Sequence, residues 1–345
     1  MNKKIPTIKE IAAKLRLSPS TVSRALSNNP RISSVTRERV QRLAAEIGYE
    51  PNSLAIGFRQ KRTNVIGVIV PHIREEFFSE AISGIESVAL QHDYSILLGQ
   101  SYDNLIQETK VAGTMKKQRV DGLIISLAKE TTSIKHLDPL SNYGIPIVYF
   151  DRVPHSVDTN MVCCDLYKGT VEMVDWFFVH GFRNIALING PSKLQASKER
   201  FKGYVDGISK RKIKVNMQLV EKTDFSKEST YAAMQKLLTL KKTPTAIITF
   251  NEYVHMDAVQ YVRQHNFLSS DEIAFGSYAN LPITNHIADP PLVSIEQYPY
   301  KQGEKAMELL LDILKSKFSD APSATRLSQL CTMPTTLMVH CDSKL

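Results

Sequence analysis

Seven consecutive positions, 18 to 24, carry four hydroxyls and one guanidinium, those of Ser18, Ser20, Thr21, Ser23 and Arg24, with no carboxylate among them. Hydroxyls bond phosphate oxygens and arginine bonds a base edge or a phosphate, so this set suits contact with a polyanion rather than bond-breaking chemistry. No catalytic constellation stands out elsewhere. There is no phosphate loop of Walker type and no GxGxxG after the apolar run at 65–70, where Pro71-His72-Ile73-Arg74-Glu75 follows instead. Of the scattered histidines, His72, His180 and His255 read as surface or cleft-edge residues, and Trp176, within an apolar helix face, reads as core. Cys163, Cys164, Cys331 and Cys341 show no paired metal-ligand spacing and read as reduced thiols of a cytoplasm. Neither a metal nor a cofactor is expected.

The hydroxyl cluster needs a rigid support, and its flanks supply one. Ile8, Ile11, Ala12 and Leu15 fall at i, i+3, i+4 and i+7, while Thr7 with Glu10 three residues on forms a capping box. After Leu17 the chain turns. Ser18 caps a second helix, and Pro19 sits in its first turn, where a missing N–H costs nothing. Val22, Ala25 and Leu26 then point inward, which leaves Ser20, Thr21, Ser23 and Arg24 on or near the open face. Ser33 or Ser34 caps a third helix with Val35, Val40, Leu43, Ala44 and Ile47 as its inner face, stopped by Gly48. This is the pattern of a helix-turn-helix with its recognition helix at Pro19–Leu26. A plain amphipathic hairpin shares the apolar spacing, so charge has to separate the two.

Residues 1–62 hold 13 Lys and Arg against 4 Asp and Glu, a balance of +9, and since the chain totals +8 the remaining 283 residues sum to −1. The basic character is therefore one segment, interleaved with apolar residues that can pack. Such concentration favours phosphate contact through counterion release. A length of 345 residues accommodates two core-forming lobes beside a small module. The start lacks the apolar stretch of a secretory signal and no run approaches a membrane span, so no membrane partner is expected.

The residues Thr7-Ile8-x-x-Ile11-Ala12, Ser18-x-x-Thr21-Val22-Ser23-Arg24-Ala25-Leu26, Ile32-Ser33, Thr36-Arg37-x-Arg39-Val40, Gly48-Tyr49-x-Pro51-Asn52, Ala55 and Thr63-x-x-Ile66-Gly67 to Pro71 stand where the LacI/GalR family of bacterial transcription regulators has them. The chain resembles that family throughout, most specifically at its N-terminus. The resemblance implies a dimeric repressor of double-stranded operator DNA, with Ser18 and Thr21 on phosphates and Ser20, Arg24 and Arg31 toward bases or backbone. Thr7, Pro19 and Ser23 belong to the same DNA-facing set. Pro19 offers a base edge no hydrogen bond, so direct reading rests on Ser20 and Arg24.

The stretch 51–63 has a helix start in Pro51 and Asn52 and puts Leu54 and Phe58 on one face, but Gly57 lowers helix propensity by about 1 kcal/mol. Alone in water it should be mostly unfolded. The residues allow a plain linker; the resemblance implies a hinge helix that orders on DNA, pairs with its dimer mate and inserts an apolar side chain into the minor groove. Asn52, Leu54, Ala55 and Phe58 are then DNA contacts, with Phe58 where well-known members carry leucine.

From residue 64 short apolar runs alternate with amphipathic stretches. Strands are expected at 65–70, 95–99, 122–126, 145–150, 184–189, 219–220, 245–250, 272–275 and 293–295. Helices are expected at 78–91, 104–118, 132–143, 166–180, 198–210, 227–240, 254–265 and 300–317. This alternation argues for parallel sheets covered on both faces, in two similar α/β lobes. The fold class is thus α/β, with a three-helix headpiece at 1–50, a hinge at 51–63 and a two-lobe domain at 64–345. Lobe 1 takes about 64–163 and 297–330, lobe 2 about 164–296. The resemblance implies the periplasmic-binding-protein fold, with 331–339 as its closing strand.

Open α/β lobes bind small molecules at the C-terminal ends of their strands. Phe77 and Phe78 can stack on a ligand or pack the core. Asp151-Arg152 can offer directional hydrogen bonds as an ionised pair, or bridge the lobes. By resemblance, Arg200 grips an effector's polar group, and Phe225, Asn251 and Gln297 face the cleft. Two departures stand in the same places. Asn251-Glu252 replaces the more common Asn-Asp, and Ser277-Tyr278-Ala279-Asn280 lacks the usual acid at Ala279, which removes a ligand acceptor and leaves effector identity open. A partner protein in place of a metabolite, a solute-binding protein and an enzyme on a doubly wound fold are the competing readings.

Overall fold

The computed structural model describes residues 6–49, 62–155, 158–265, 273–317 and 328–340. Asn52, Leu54, Ala55 and Phe58 of the expected hinge lie outside the described residues, as do residue 272 and Cys341. The chain forms two compact units, Met1–Thr63 and Asn64–Leu345.

In the first unit, α1 (Ile8–Leu15) begins with the reciprocal Thr7–Glu10 box and ends at Arg16 in left-handed conformation, φ 54°. The Ser18 hydroxyl accepts the Thr21 N–H at 3.1 Å and so starts α2 (Pro19–Leu26), with Pro19 in the first turn. Ser33, not Ser34, caps α3 (Ser34–Glu46) by accepting the Thr36 N–H. Ile11, Ala12, Val22, Ala25, Val40 and Ala44 are buried together, one apolar stripe from each helix. Val35 is corrected: it is 66% exposed, because the first turn of α3 projects beyond that core.

The second unit holds two six-stranded sheets. The first contains β1 (Val65–Val70), β2 (Ser95–Gln100), β3 (Gly122–Ile125), β4 (Ile147–Phe150), β5 (Asn160–Cys164) and a late strand, β11 (Leu330–Met333), in the order β11-β5-β4-β3-β1-β2, all parallel. The second contains β6 (Ile185–Asn189), β7 (Val220–Lys222), β8 (Ala246–Thr249), β9 (Ala274–Ala279), β10 (Val293–Glu296) and β12 (Thr336–Val339), in the order β12-β10-β9-β8-β6-β7, where only β12 runs antiparallel. Both sheets thus reverse their winding beside their first strand, at β1 and β6, which is where such folds open a crevice. The first sheet is covered by α4 (Glu76–Gln91) and α11 (Pro299–Lys317) on one face and by α5 (Leu105–Lys117) and the short α6 (Asp138–Ser141) on the other. The second lies between α7 (Leu166–Val179) with α8 (Gln195–Ser209) and α9 (Lys227–Leu238) with α10 (Glu252–Gln264).

Several expectations change. The helix expected at 132–143 is a 3₁₀ turn at Lys135–Leu137 followed by α6, since Pro139 opens a new helical turn and Gly144, at φ 83°, closes it. β5 had no counterpart in the sequence reading. The tail 331–339 is not one strand but two, one in each sheet, divided at Pro334, which has no N–H for a ladder. His255 is fully buried rather than at a surface or cleft edge, its Nε2 2.8 Å from the Asp289 carbonyl oxygen, and Trp176 is only half-buried, stacked on His180.

The helices α4 and α11 meet backbone to backbone. A Cβ on Gly84 would lie 2.0 Å from the Tyr300 carbonyl oxygen, and one on Gly303 2.0 Å from that of Ala81. Since the obstacle is main chain, Gly303→Ala is expected to lower stability by about 1–3 kcal/mol. Gly113→Ala, in α5 with nothing within 4 Å of the new carbon, should instead be neutral or raise it by up to about 1 kcal/mol. Urea midpoints that shift alike in the two variants would contradict the close crossing.

Candidate functional site

On the first unit, Ser18, Ser20 and Arg24 are exposed and Thr21 and Ser23 half-buried, while Val22 and Ala25 hold the helix from beneath. The Ser18 hydroxyl lies 2.8 Å from both the Ser20 and Thr21 hydroxyls, which gathers three of them at the start of α2. No acidic residue occupies its first turn. Ser20 and Arg24, four apart, share one face. Pro19 is exposed at the helix start, Thr7 caps α1, and Arg31 is exposed beyond the turn that its N–H makes with the Asn29 side chain. The face can therefore engage a polyanion through hydroxyls and one forked cation.

In the second unit, a cavity at the C-terminal ends of the strands gathers Phe77, Phe78, Asp151, Arg152, Arg200, Asn251, Glu252 and Gln297. Two expected residues do not line it. Phe225 packs against Phe250 with ring centroids 4.7 Å apart, and Asn280 lies behind Glu252, its N–H donating to Oε1 at 2.7 Å. Phe77 and Phe78 are both core and wall, in edge contact with one another. Among the described residues Arg152 makes no ion pair with Asp151 and no salt bridge between the lobes, but its guanidinium carbon lies 5.8 Å from the ring centroid of Phe225, which follows β7 of the second sheet. Arg152 forms an ion pair with Asp103 on the same sheet's loops and lies over the Phe78 ring. Asp151, in left-handed conformation at φ 55°, has its carboxyl held above the usual range by burial.

Arg200 is 4% exposed, its guanidinium carbon 4.0 Å from the Phe250 and Tyr278 ring centroids. Nη1 donates to the Phe250 carbonyl at 2.9 Å and Nη2 to Gln297 Oε1 at 3.3 Å, while Nε is buried without a partner. Glu252, first residue of α10 and fully buried, likewise leaves Oε2 without one. A buried cation and a buried acid are thus each one bond short on the wall of this cavity, where such groups call for a polar partner. Among the described residues no group of side chains could hold a metal ion.

Gln297 also connects this cavity to the chain crossings between sheets. Its carbonyl accepts from the Gln302 amide at 2.8 Å and from the Cys164 thiol at 3.1 Å, and Thr335 bonds the Asp165 carbonyl beside them. Glu75, Leu194, Ala196, Phe250, Tyr253 and Leu281 also line the cavity and are not expected from the sequence, while Ala279 lines it where the sequence places the missing acid. Glu75 and Tyr253 carried a usable signal, each following or adjoining a residue already read as near a strand end.

A helix-turn-helix whose hydroxyls and arginine face outward, and a two-sheet unit enclosing a polar small-molecule cavity, define a DNA-binding regulator with a ligand-binding domain. Residues 7–52 match the profile described as bacterial regulatory proteins, lacI family, and residues 63–335 that of periplasmic binding proteins and sugar binding domain of LacI family. The chain belongs to the LacI family and is a transcription regulator. It is 30% identical over 311 residues to the HTH-type transcriptional repressor CytR of Escherichia coli (strain K12), covering 90% of each chain. It is 27% identical over 312 residues to the HTH-type transcriptional repressor PurR of Photobacterium profundum, covering 90% of this chain and 92% of that one. These relatives are repressors, not enzymes. In fold it is similar to the lac repressor dimer bound to operator and the anti-inducer ONPF, with TM-score 0.82 at 22% identity over 99% of this chain and 100% of that one. Among the described residues no helix is long and apolar enough to cross a membrane.

The buried acid has a proton-linked signature. Burial pushes the Glu252 carboxyl up to about 8, against 4.5 ordinarily, so the folded chain holds a proton that the unfolded chain releases between those values. That stability is complete below the unfolded value and is lost as pH rises through about 8. His255 has the opposite sign, pushed by burial from 6.5 down to about 4, so its contribution is lost as pH falls through that range. Above pH 6.5, of these two, Glu252 alone titrates. Urea unfolding should thus show stability declining between pH 6.5 and 8.5 by up to about 1.4 kcal/mol per unit, and Glu252→Gln should flatten that limb. An undiminished slope in the variant would place the proton elsewhere.

Proposed function

We propose that the chain is a dimeric repressor acting in the cytoplasm, whose operator affinity is set by a small molecule bound in the Arg200 cavity. The observation that carries this reading is the capped α2, which presents Ser20 and Arg24 from a basic segment while the second unit keeps a buried guanidinium one bond short. Two such helices read the half-sites of a near-palindromic operator, one per protomer. Ser18 and Thr21 fix the register on phosphates, and Ser20 and Arg24 read base edges. The division into headpiece 1–50, hinge 51–63 and two lobes assigns Asn52, Leu54, Ala55 and Phe58 to the minor groove. Effector held by Phe77, Phe78, Asp151, Arg200, Asn251, Glu252 and Gln297 changes the angle between lobes, and with it the spacing at which paired hinges order.

Arg24→Ala should weaken binding to the operator, found by genomic footprinting, by about 1–3 kcal/mol relative to random DNA of equal length. Equal losses on both DNAs would make Arg24 a phosphate contact. Operator binding that survives removal of residues 1–62 would overturn the reading altogether. Arg200→Ala should leave DNA binding intact and abolish its response to effector; a preserved response would move the effector out of this cavity.

A further inference from the structure

Beyond Arg152 the cleft widens into a second chamber, about 210 Å³ against about 50 Å³ for the inner cavity. Arg152, Leu194 and Ala196 line both, so the two adjoin. Their electrostatics differ. Three carboxyls, those of Glu75, Asp151 and Glu252, line the inner cavity, whereas among the described residues no acidic side chain lines the outer one.

Lys193 and His155 line the outer chamber, and Lys198 joins them by donating its Nζ to His155 Nε2 at 2.9 Å. Thr131 and Ser133 line the same space, the Thr131 hydroxyl donating to Glu108 Oε1 at 2.7 Å. Here too begins the 15-residue α8: Leu194 at its N-cap gives no side-chain hydrogen bond, and its first turn holds no acidic residue. First-turn N–H groups left uncapped beside two lysines attract negative charge. In the inner cavity the partnerless Arg200 Nε and Glu252 Oε2 fix where the other end of a ligand is held.

Resting on the effector reading above, we propose that the cleft takes a two-part molecule: an uncharged, polyhydroxylated moiety in the inner cavity and an anionic group, phosphate or carboxylate, in the outer chamber against Lys193, Lys198 and the start of α8. Arg152, already neutralised by Asp103, stands between them as wall rather than as the anion's partner. The anionic group thereby selects among molecules that share the same inner moiety.

The test is calorimetric titration of the full chain with matched sets: ribose against ribose 5-phosphate, and glucose against glucose 6-phosphate and glucuronate. Within a set that binds, the anionic member should be at least tenfold tighter, and the phosphate and carboxylate arms identify which anion is used. In Lys193→Gln/Lys198→Gln that advantage should vanish while the uncharged member keeps its affinity and ligand-free operator binding is unchanged. An anionic member no tighter than its parent, or an advantage that survives in the double variant, overturns the inference and leaves the effector reading standing. Binding by no member of either set, with operator binding intact, overturns both.

Discussion

Three short crossings connect the two sheets of the second unit, and they are hydrogen-bonded to one another. Cys164 and Asp165 belong to the first, Gln297 to the second, and Met333 to Thr335 to the third. The Asp165 N–H donates to the Met333 carbonyl at 3.0 Å, and Cys164 and Gln302 both donate to the Gln297 carbonyl. Any rotation of one sheet relative to the other must bend these segments together. The side chain of Gln297 meanwhile accepts from Arg200. In the effector reading proposed above, Arg200 is therefore one bond from the segments that a change of angle between the lobes has to bend.

The two functional surfaces solve opposite electrostatic problems. On α2 the charge is exposed and well solvated, and its usefulness comes from geometry: a capped, proline-started helix that cannot change register. In the cleft the charge is buried and strongly penalised. Arg200 is held by two aromatic faces, a carbonyl and an amide rather than by a direct ion pair, and burial draws its guanidinium below the ordinary value, opposed by Tyr278 and the Asp151 and Glu252 carboxyls. A carboxylate partner would have stabilised the empty cavity and competed with the ligand.

Local chemistry was legible in the sequence and long-range chemistry was not. The Thr7–Glu10 box, the Ser18 cap, Pro19 and the apolar spacing located the first three helices nearly to the residue, because each depends on neighbours three or four positions away. The strand-end residues Asp151 and Asn251 were readable because they follow apolar runs, whereas Arg200, inside α8 and preceded by polar residues, came only from the family resemblance. What escaped depended on partners far along the chain. Asp103 as the mate of Arg152, Phe225 turned against Phe250, and Asn280 placed behind Glu252 are set by which strands adjoin. Pro334 interrupts the closing strand expected at 331–339, and nothing local shows that the halves on either side of it join different sheets. The short β5 failed to register because its five residues, Asn160–Cys164, read as neither an alternating nor a long apolar run.

In the effector reading proposed above, the raised Glu252 carboxyl couples ligand binding to a proton. A ligand that offers an acceptor to Oε2 leaves the proton in place, whereas one that brings a donor or a positive charge drives it into solvent. Ligands of these two kinds therefore differ in the buffer dependence of their binding heat, and their apparent affinities drift in opposite directions as the medium becomes more alkaline.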